Sequence, residues 1–201
     1  QHTIFDMKTT FITCLAAMAL TATSAKAGDL TKRVNPLLGT ATLWEKSDLH
    51  YDRHRKARTW GAEVFPGTSL PFAMVQASPI TMFRSGSGYQ YEDTTICGFG
   101  HTNKGHWNLL HVPLMPFSGT RVNPDDYASP FSHSRETAQP GYYQVWLERY
   151  AINAEFTSTL RCALHRYTFD SADSTSVLID LQHGPAWNEK QYHSHVTACE
   201  W

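Results

Sequence analysis

The sequence lacks an excess of either positive or negative charge. The 17 Lys and Arg residues stand against 18 Asp and Glu, which gives a formal net charge of -1. A nearly neutral chain has no long-range field to attract a polyanion or an anionic membrane. We therefore expect neither nucleic acid nor a membrane surface as a partner. Hydrophobic residues make up 41% and aromatic residues 12% of the chain, a balance that is typical of a folded globular protein.

Long hydrophobic runs are also lacking. The longest, Phe11 to Ala22, holds about 12 positions, whereas a membrane-spanning helix needs about 20. It follows Lys8 and precedes the small residues Ser24 to Ala27, the pattern of a secretory signal peptide. A membrane helix and a lipoprotein anchor at Cys14 are the alternatives, and the residue before Cys14 is not the small one that an anchor favours.

The predicted cleavage site lies before Gly28. Residues 1–27 are then upstream sequence and signal peptide, and residues 28–201 form one mature domain. The sequence predicts a secreted or periplasmic protein with no membrane contact after the signal is removed.

Few cysteines remain after residue 27, namely Cys97, Cys162 and Cys199. An odd number of thiols in an oxidising compartment cannot all pair within one chain, which excludes a disulfide scaffold. Cys97 and Cys162 lie in apolar or strand-like contexts. These contexts favour buried thiols over a bridge or a nucleophile.

Amphipathic helices of about 12 residues or more are missing outside the signal peptide, and period-two alternation replaces them. Residues 151–160 show it most clearly, since apolar or small residues at even positions alternate with polar ones. The predicted strands are Tyr142 to Tyr150, Ala151 to Leu160, His165 to Phe169, Val177 to Leu181 and Gln191 to Glu200. Recurrent turn signals such as Pro66-Gly67 and Pro140-Gly141 separate them. An all-β sandwich is expected.

The apolar run Val177 to Leu181 is broken only by Asp180. Continuous apolar runs are typical of strands buried on both faces, so we expect both faces of this strand to be covered.

Five segments, in this order, resemble the amino-terminal domain of glycoside hydrolase family 92. They are VNPLLGT (Val34 to Thr40), VFPGTSLPFAMVQASP (Val64 to Pro79), GYQYEDTTICGFGHT (Gly88 to Thr102), SPFSHSRETAQPGYYQVWL (Ser129 to Leu147), and LHRYTF with VLIDLQHG (Leu164 to Phe169, Val177 to Gly184). The resemblance covers nearly all of the mature chain.

This resemblance implies a supersandwich domain of the galactose-mutarotase-like type, packed against a larger carboxy-terminal (α/α)6 barrel. The family is known for exo-acting, inverting α-mannosidases that require calcium, with the active site at the junction of the two domains. The general acid Glu, the general base Asp and the calcium-associated residues belong to the barrel, which the chain does not reach. The resemblance therefore assigns no catalytic residue and no metal ligand to this chain, and its expected partners are α-mannoside glycans and the missing barrel.

The chemistry of inversion agrees with this division. It needs a protonated carboxyl and a carboxylate about 6.5–9.5 Å apart, on opposite sides of one sugar. Four carboxylates in or beside the resembling segments are Glu63, Glu92, Asp93 and Glu136. Glu92 and Asp93 are neighbours, which on a strand point to opposite faces. An autonomous glycosidase site is not expected.

The segment Gly98 to Pro116 looks most like a binding site. Its glycines permit close approach to a ligand, and its polar and aromatic residues suit sugar hydroxyls and C–H faces. The predicted substrate-binding residues are His101, Thr102, Asn103, Lys104, His106 and Trp107, with Trp60. Residues 103–107 and Ala73 depart from the family's usual residues, which affects the expected linkage preference. A plain strand-connecting loop with a buried Trp is the alternative.

Two further patterns are weaker. His193 and His195 could share one strand face, but no third metal ligand accompanies them, and Arg53 to Arg58 is typical of a solvated basic loop.

The function predicted from sequence is thus the pocket-contributing amino-terminal part of an exported inverting α-mannosidase, inactive by itself. The alternatives are a non-catalytic glycan-binding β-sandwich and a truncated product that does not fold stably.

Overall fold

A computed structural model describes residues 29–41, 62, 64–81, 87–104, 107–108, 111–123, 125–170 and 174–181, with the backbone alone for 103, 104, 107 and 108. The predicted signal peptide, the basic run at residues 53–58, the predicted strand at residues 191–200 with its histidines, Glu63 and Cys199 lie outside this range. The chain divides into two compact units, Gln1–Arg33 and Val34–Trp201. The described part of the first includes a short 3-10 helix, Leu30–Arg33.

The described part of the second unit consists mainly of strands. Their bounds are β1 Thr68–Ser69, β2 Gln76–Ile80, β3 Thr95–Ile96, β4 Gly98–Gly100, β5 Asn103–Lys104, β6 Trp107–Asn108, β7 Leu114–Ser118, β8 Ser129–Pro130, β9 Glu136–Gln139, β10 Tyr142–Leu147, β11 Ile152–Ser158, β12 Ala163–Phe169 and β13 Thr175–Ile179. A 3-10 helix, His133–Arg135, precedes β9.

Two main sheets form the layers. One has the order β1-β2-β4-β7-β13 and the other β12-β11-β10-β9, with all neighbours antiparallel. Two small pairs, β3 with β8 and β5 with β6, complete the described strands. The β10–β11 hairpin sets Tyr143 opposite Phe156 and Val145 opposite Ala154.

The core lies between the two main sheets. Phe99 and Met115 come from the first sheet, and Tyr143 and Phe156 come from the second. The rings of Phe99 and Phe156 meet edge to face, with centroids 5.5 Å apart. This contact joins the layers, and the predicted all-β sandwich is confirmed.

Alternation holds on the two central strands of the second sheet, with one exception. Ile152, Ala154 and Phe156 are buried as predicted. Glu155 faces the other way but is only 8% exposed, because Tyr142 Oη donates to it at 2.6 Å and Arg166 Nη2 at 2.5 Å. The predicted strand of residues 151–160 is shorter in the structure, since β11 ends at Ser158.

The prediction that residues 177–181 are covered on both faces is wrong. The strand in this region, β13, is the last in the order of its sheet and pairs with β7. Leu178 packs against the core, whereas Val177 and Ile179 are 44% and 54% exposed. Successive side chains of a strand point to opposite faces, so an apolar run is covered twice only where both faces have neighbours.

The prediction of a buried thiol is wrong for Cys162. Cys162 is exposed because it closes the turn between β11 and β12, where Thr159 N donates to its carbonyl at 2.8 Å. Cys97 is half-buried, and its Sγ donates to the Thr81 carbonyl at 3.3 Å. Burial, with a smaller contribution from Asp93, raises the pKa of Cys97 to about 11. Both thiols are free.

Candidate functional site

The predicted binding segment begins where β4 ends. Gln76 N donates to the His101 carbonyl at 3.0 Å, so the backbone of His101 continues the pairing of β4 with β2. Immediately after it, the backbone forms a hairpin, in which Asn103 lies opposite Asn108 and Lys104 opposite Trp107. The segment interpreted as a ligand-presenting loop therefore contains a short β-hairpin between β4 and β7.

The side chain of His101 crosses to the other sheet. Its Nε2 lies 2.9 Å from Nε2 of His165, which is on β12. The Tyr167 hydroxyl, two residues further along β12, lies 3.0 Å from Nδ1 of His165. Three rings thus form a continuous chain of hydrogen bonds that links the two layers.

The protons of this chain can be placed from its ends. A hydrogen bond with the Val112 backbone raises the pKa of His101, which is the effect of a carbonyl acceptor, and we assign the His101 proton to Nδ1, the ring nitrogen that does not face His165. A neutral imidazole has one donor and one acceptor nitrogen. His101 Nε2 therefore accepts from Nε2–H of His165, and His165 Nδ1 accepts from the Tyr167 hydroxyl.

The electrostatics of the pair favour the neutral forms. Burial and, to a smaller extent, the neighbouring His101 lower the pKa of His165 to about 4. Burial also lowers the pKa of His101, although the hydrogen bond to Val112 partly opposes this effect. Both imidazoles are consequently neutral at pH 7.

A second polar pair brackets the hairpin. Thr102 Oγ1, just before β5, lies 3.1 Å from Nδ1 of His111, which follows the hairpin and is exposed. The next residue, Val112, has φ 49. A positive φ is strained for a β-branched residue, and such strain concentrates at functional sites. The two ends of the hairpin are thus held together by side chains.

The predicted site residues fall into three groups. The structure brings His101 and Thr102 to the base of the hairpin. It gives only the backbone of Asn103, Lys104 and Trp107. His106 and Trp60 lie outside the described residues, so a substrate-binding role for this set stays a prediction.

Sequence reasoning missed His165, Tyr167 and His111. The period of two places His165 and Tyr167 on one face of β12, a signal that was available in LHRYTF. Their partner His101 is 64 residues away from His165 in sequence, so no local pattern indicated the contact.

Glu136, a carboxylate of the resembling segments, is enclosed and fully used. Its side chain is 0% exposed. Oε1 accepts hydrogen bonds from the hydroxyls of Tyr89 at 2.8 Å and Tyr143 at 2.5 Å, and Oε2 lies 2.5 Å from Nδ1 of His133. Such a group holds segments together and has no open side from which to reach a glycosidic bond.

No group of three or more potential metal ligands occurs among the described residues. Calcium takes about 6–8 oxygen ligands, whereas Glu136 and Glu155 are already bonded to protein donors. The described part of the chain does not fit a calcium site. In that same part of the chain, no helix is long and apolar enough to cross a membrane.

Known proteins share the sequence pattern and the fold of this chain. Residues 33–200 match the model of the Glycosyl hydrolase family 92 N-terminal domain. A protein described as an uncharacterized secreted glycosidase of Arthroderma benhamiae is 26% identical over 172 residues, which cover 77% of this chain and 20% of the relative.

Solved structures agree. The family GH92 alpha-mannosidase of Bacteroides thetaiotaomicron, in complex with mannoimidazole, shares 30% identity and a TM-score of 0.64, with 78% of this chain and 20% of that one covered. A family GH92 inverting mannosidase of the same organism, at 23% identity and a TM-score of 0.57 over 74% of this chain and 19% of its own, shares the fold. The chain therefore spans about a fifth of the length of these relatives. With a matched model over most of its length and a two-layer sandwich to go with it, this chain belongs to the family of glycosyl hydrolase family 92 N-terminal domains.

Proposed function

We propose that this chain is the amino-terminal part of an exported inverting α-mannosidase that acts on glycans, and that it contributes one wall of the substrate pocket. The observation that carries this proposal is the family membership of residues 33–200 together with the one-fifth coverage of a GH92 alpha-mannosidase. Cleavage then depends on residues in the remaining four-fifths, and the isolated chain is inactive.

The proposed wall is the segment from His101 to Trp107, with Trp60. Mannose offers hydroxyls that need paired donors and acceptors, and C–H faces that stack on aromatic rings. Both ring nitrogens of His101 are engaged within the protein, by His165 and by Val112. His101 therefore serves the wall mainly by holding the hairpin in place, and the proposal assigns the sugar contacts to Thr102 and to residues 103–107.

Two of the described carboxylates support the proposal that catalysis depends on residues outside this chain. Glu136 is sealed by two tyrosines and His133, and Glu155 is bound by Arg166. An inverting pair has to face an open gap about 6.5–9.5 Å wide. In this proposal the acid, the base and the calcium ligands all come from the remainder of the protein.

Export is part of the proposal. It is supported by the signal-like sequence before Gly28 and by the secreted glycosidase among the relatives.

The test compares two purified proteins, this chain and a form extended to the length of the relatives. Both are assayed on aryl α-mannosides with calcium and again with a chelator. The proposal expects turnover by the extended form alone, lost on chelation, with an inverted product by NMR. Turnover by the short chain contradicts it. Micromolar binding of mannose-containing glycans by the short chain, with an inactive extended form, favours the non-catalytic glycan-binding sandwich.

A further inference from the structure

We propose that His165 and Tyr167 are positioning residues of the binding segment: they fix the ring of His101, and through it both ends of the β5–β6 hairpin. This inference rests on the proposed function only in calling the segment a binding segment. The contacts that support it are all among the described residues. Neither residue was indicated by the sequence as part of the site.

The ring of His101 has three attachments that converge on the hairpin. Its own backbone enters β5 by way of Thr102. Its Nδ1–H reaches the Val112 carbonyl on the far side of β6, and its Nε2 meets His165 on the opposite sheet. A single imidazole thus ties the start and the end of the hairpin to β12.

The direction of these bonds depends on Tyr167. Its hydroxyl lies 3.0 Å from Nδ1 of His165, and when it donates there the proton of a neutral His165 is on Nε2. That proton is then the donor that His101 Nε2 accepts, and the His101 proton is on Nδ1, toward Val112. The Tyr167 hydroxyl and the Val112 carbonyl, at the two ends of the chain of hydrogen bonds, thus favour the same tautomer of His101.

The apolar surroundings of His165 indicate that its ring does more than fill space in the core. The ring of His165 lies against Phe156, with centroids 5.3 Å apart, and near Phe99 at 6.2 Å. Placing two imidazoles and a phenol among such apolar rings costs free energy unless every polar atom has a partner. Apolar side chains would fill the same volume at less cost, whereas only hydrogen-bonding groups can impose a direction on His101.

The backbone beyond the hairpin shows what is being held. Val112 keeps a φ of 49, a sparsely populated and strained conformation for a β-branched residue. Such a conformation persists only where neighbouring contacts over-determine it. The bond from His101 to the Val112 carbonyl is one of these contacts, and it exists only in the tautomer that His165 enforces.

The experiment uses this chain, labelled with 15N, and three variants. His165→Phe removes the donor at similar size, His165→Gln retains an N–H donor, and Tyr167→Phe removes one hydroxyl. Ring 15N chemical shifts report the tautomer of His101, and amide hydrogen exchange reports the hairpin at residues 103, 104, 107 and 108. A cooperative thermal transition confirms that each variant is folded.

The expected result is a His101 protonated on Nδ1 in the wild type. His165→Phe speeds hairpin exchange by about tenfold, the factor that corresponds to about 1.4 kcal/mol, and His165→Gln restores most of the protection. Tyr167→Phe, the mildest change, gives a mixture of His101 tautomers. A His101 protonated on Nε2 in the wild type overturns the proposal, and so does unchanged hairpin exchange in a folded His165→Phe variant.

Activity separates this inference from the proposed function. In the extended form, His165→Phe is expected to raise KM for an aryl α-mannoside about tenfold, with kcat changed less than about twofold, because a displaced wall weakens binding throughout the reaction. An extended form without any mannosidase activity counts against the proposed function, while the tautomer and exchange results still decide the positioning role. An equal fall in kcat and kcat/KM with KM unchanged overturns the positioning role in favour of a transition-state contact.

Discussion

The Tyr89 hydroxyl donates to both oxygens of Glu136, at 2.8 Å and 3.1 Å, across 47 residues of sequence. This contact joins the segment Gly88 to Thr102 with the segment Ser129 to Leu147. His133 extends it, because its Nε2 lies 2.6 Å from the Tyr91 carbonyl and its ring stacks on Tyr91 at 4.0 Å. Two sequence segments that look independent therefore depend on one enclosed carboxylate.

The first prediction tests this carboxylate with neighbouring tyrosines. Tyr143→Phe deletes a hydroxyl bonded to Glu136 and should lower the free energy of unfolding by about 1–3 kcal/mol, the usual cost of leaving a buried charged group short of a donor. Tyr142→Phe deletes a hydroxyl bonded to Glu155, which keeps the exposed Arg166 as a donor, and should cost less than about 1 kcal/mol. Urea denaturation measures both. Equal losses would show that enclosure of Glu136 adds nothing.

The second prediction concerns pH. The pKa of His165 is lowered to about 4 in the folded protein from about 6.5 in the unfolded chain, so the unfolded state binds more protons in between. The contribution of the neutral His165 to the free energy of unfolding is therefore fully present above about pH 6.5 and is lost as pH falls toward about 4.

The loss from His165 alone should be about 2 kcal/mol between pH 7 and pH 5. The measurement is urea denaturation at both pH values for the wild type and His165→Gln, which lacks this titration but keeps the carboxylates common to both. A variant with the same pH dependence as the wild type would contradict the assignment.

The third prediction concerns an exposed turn. Phe72 is fully exposed, at 102%, and has φ 60 in the turn closed by Ala73 N and the Leu70 carbonyl at 3.1 Å. Phe72→Gly should raise the free energy of unfolding by about 1 kcal/mol, since glycine adopts this φ without a steric cost and no packing is lost. Met74→Gly is the matched control, because Met74 is 73% exposed but lacks a positive φ. Stabilisation by both changes, or by neither, would contradict the strain at Phe72.

The fourth prediction compares two glycines. A Cβ on Gly67 would lie 1.8 Å from the Ala77 carbonyl oxygen and 2.8 Å from Ser78 Cα, both in the backbone of β2. Gly67→Ala should destabilise the fold by more than about 3 kcal/mol, because β2 is paired with β1 on one side and β4 on the other and cannot move aside.

The control is Gly141→Ala, where the added Cβ meets nothing within 4 Å and the only penalty comes from φ 78. Its cost should be about 1–2 kcal/mol. Thermal unfolding distinguishes the two variants, and a Gly67→Ala protein as stable as Gly141→Ala would be inconsistent with the close approach of β2.

The fifth prediction concerns thiol reactivity. Cys162 is exposed in its turn, whereas Cys97 is half-buried and has its pKa raised to about 11. Because the thiolate is the reactive form, iodoacetamide at pH 8 should label Cys162 within minutes and Cys97 only after unfolding in urea. Peptide mapping by mass spectrometry reads out each site. Labelling of both at equal rates in the folded protein would contradict the burial of Cys97.

Contacts between residues that are close in the sequence were easier to predict than contacts between distant residues. The period of two predicted the β10 and β11 region because hairpin neighbours are close in sequence and one face of each strand is buried. The bounds were less accurate, since the predicted strands Tyr142 to Tyr150 and Ala151 to Leu160 include residues 148–151, which form a turn. The alternation correctly places Glu155 on the face opposite the apolar residues of β11, but it gives no sign that a cross-strand Arg166 covers it.

Topology was out of reach of local patterns. The apolar run at residues 177–181 carries no sign that β13 ends the order of its sheet, so its exposed face was missed. The pairing of His101 with His165 likewise depends on how the two sheets stack. The sequence predicted a binding segment from Gly98 to Pro116, and the packing of the sheets determines which side chains contact its described residues.

The double attachment of the hairpin has an evolutionary consequence. Since His101 and Val112 lie on either side of this stretch, we expect changes in its length and composition to leave the sandwich intact. We expect relatives that differ in sugar preference to differ in this stretch and to keep His101 and its partner on β12, His165.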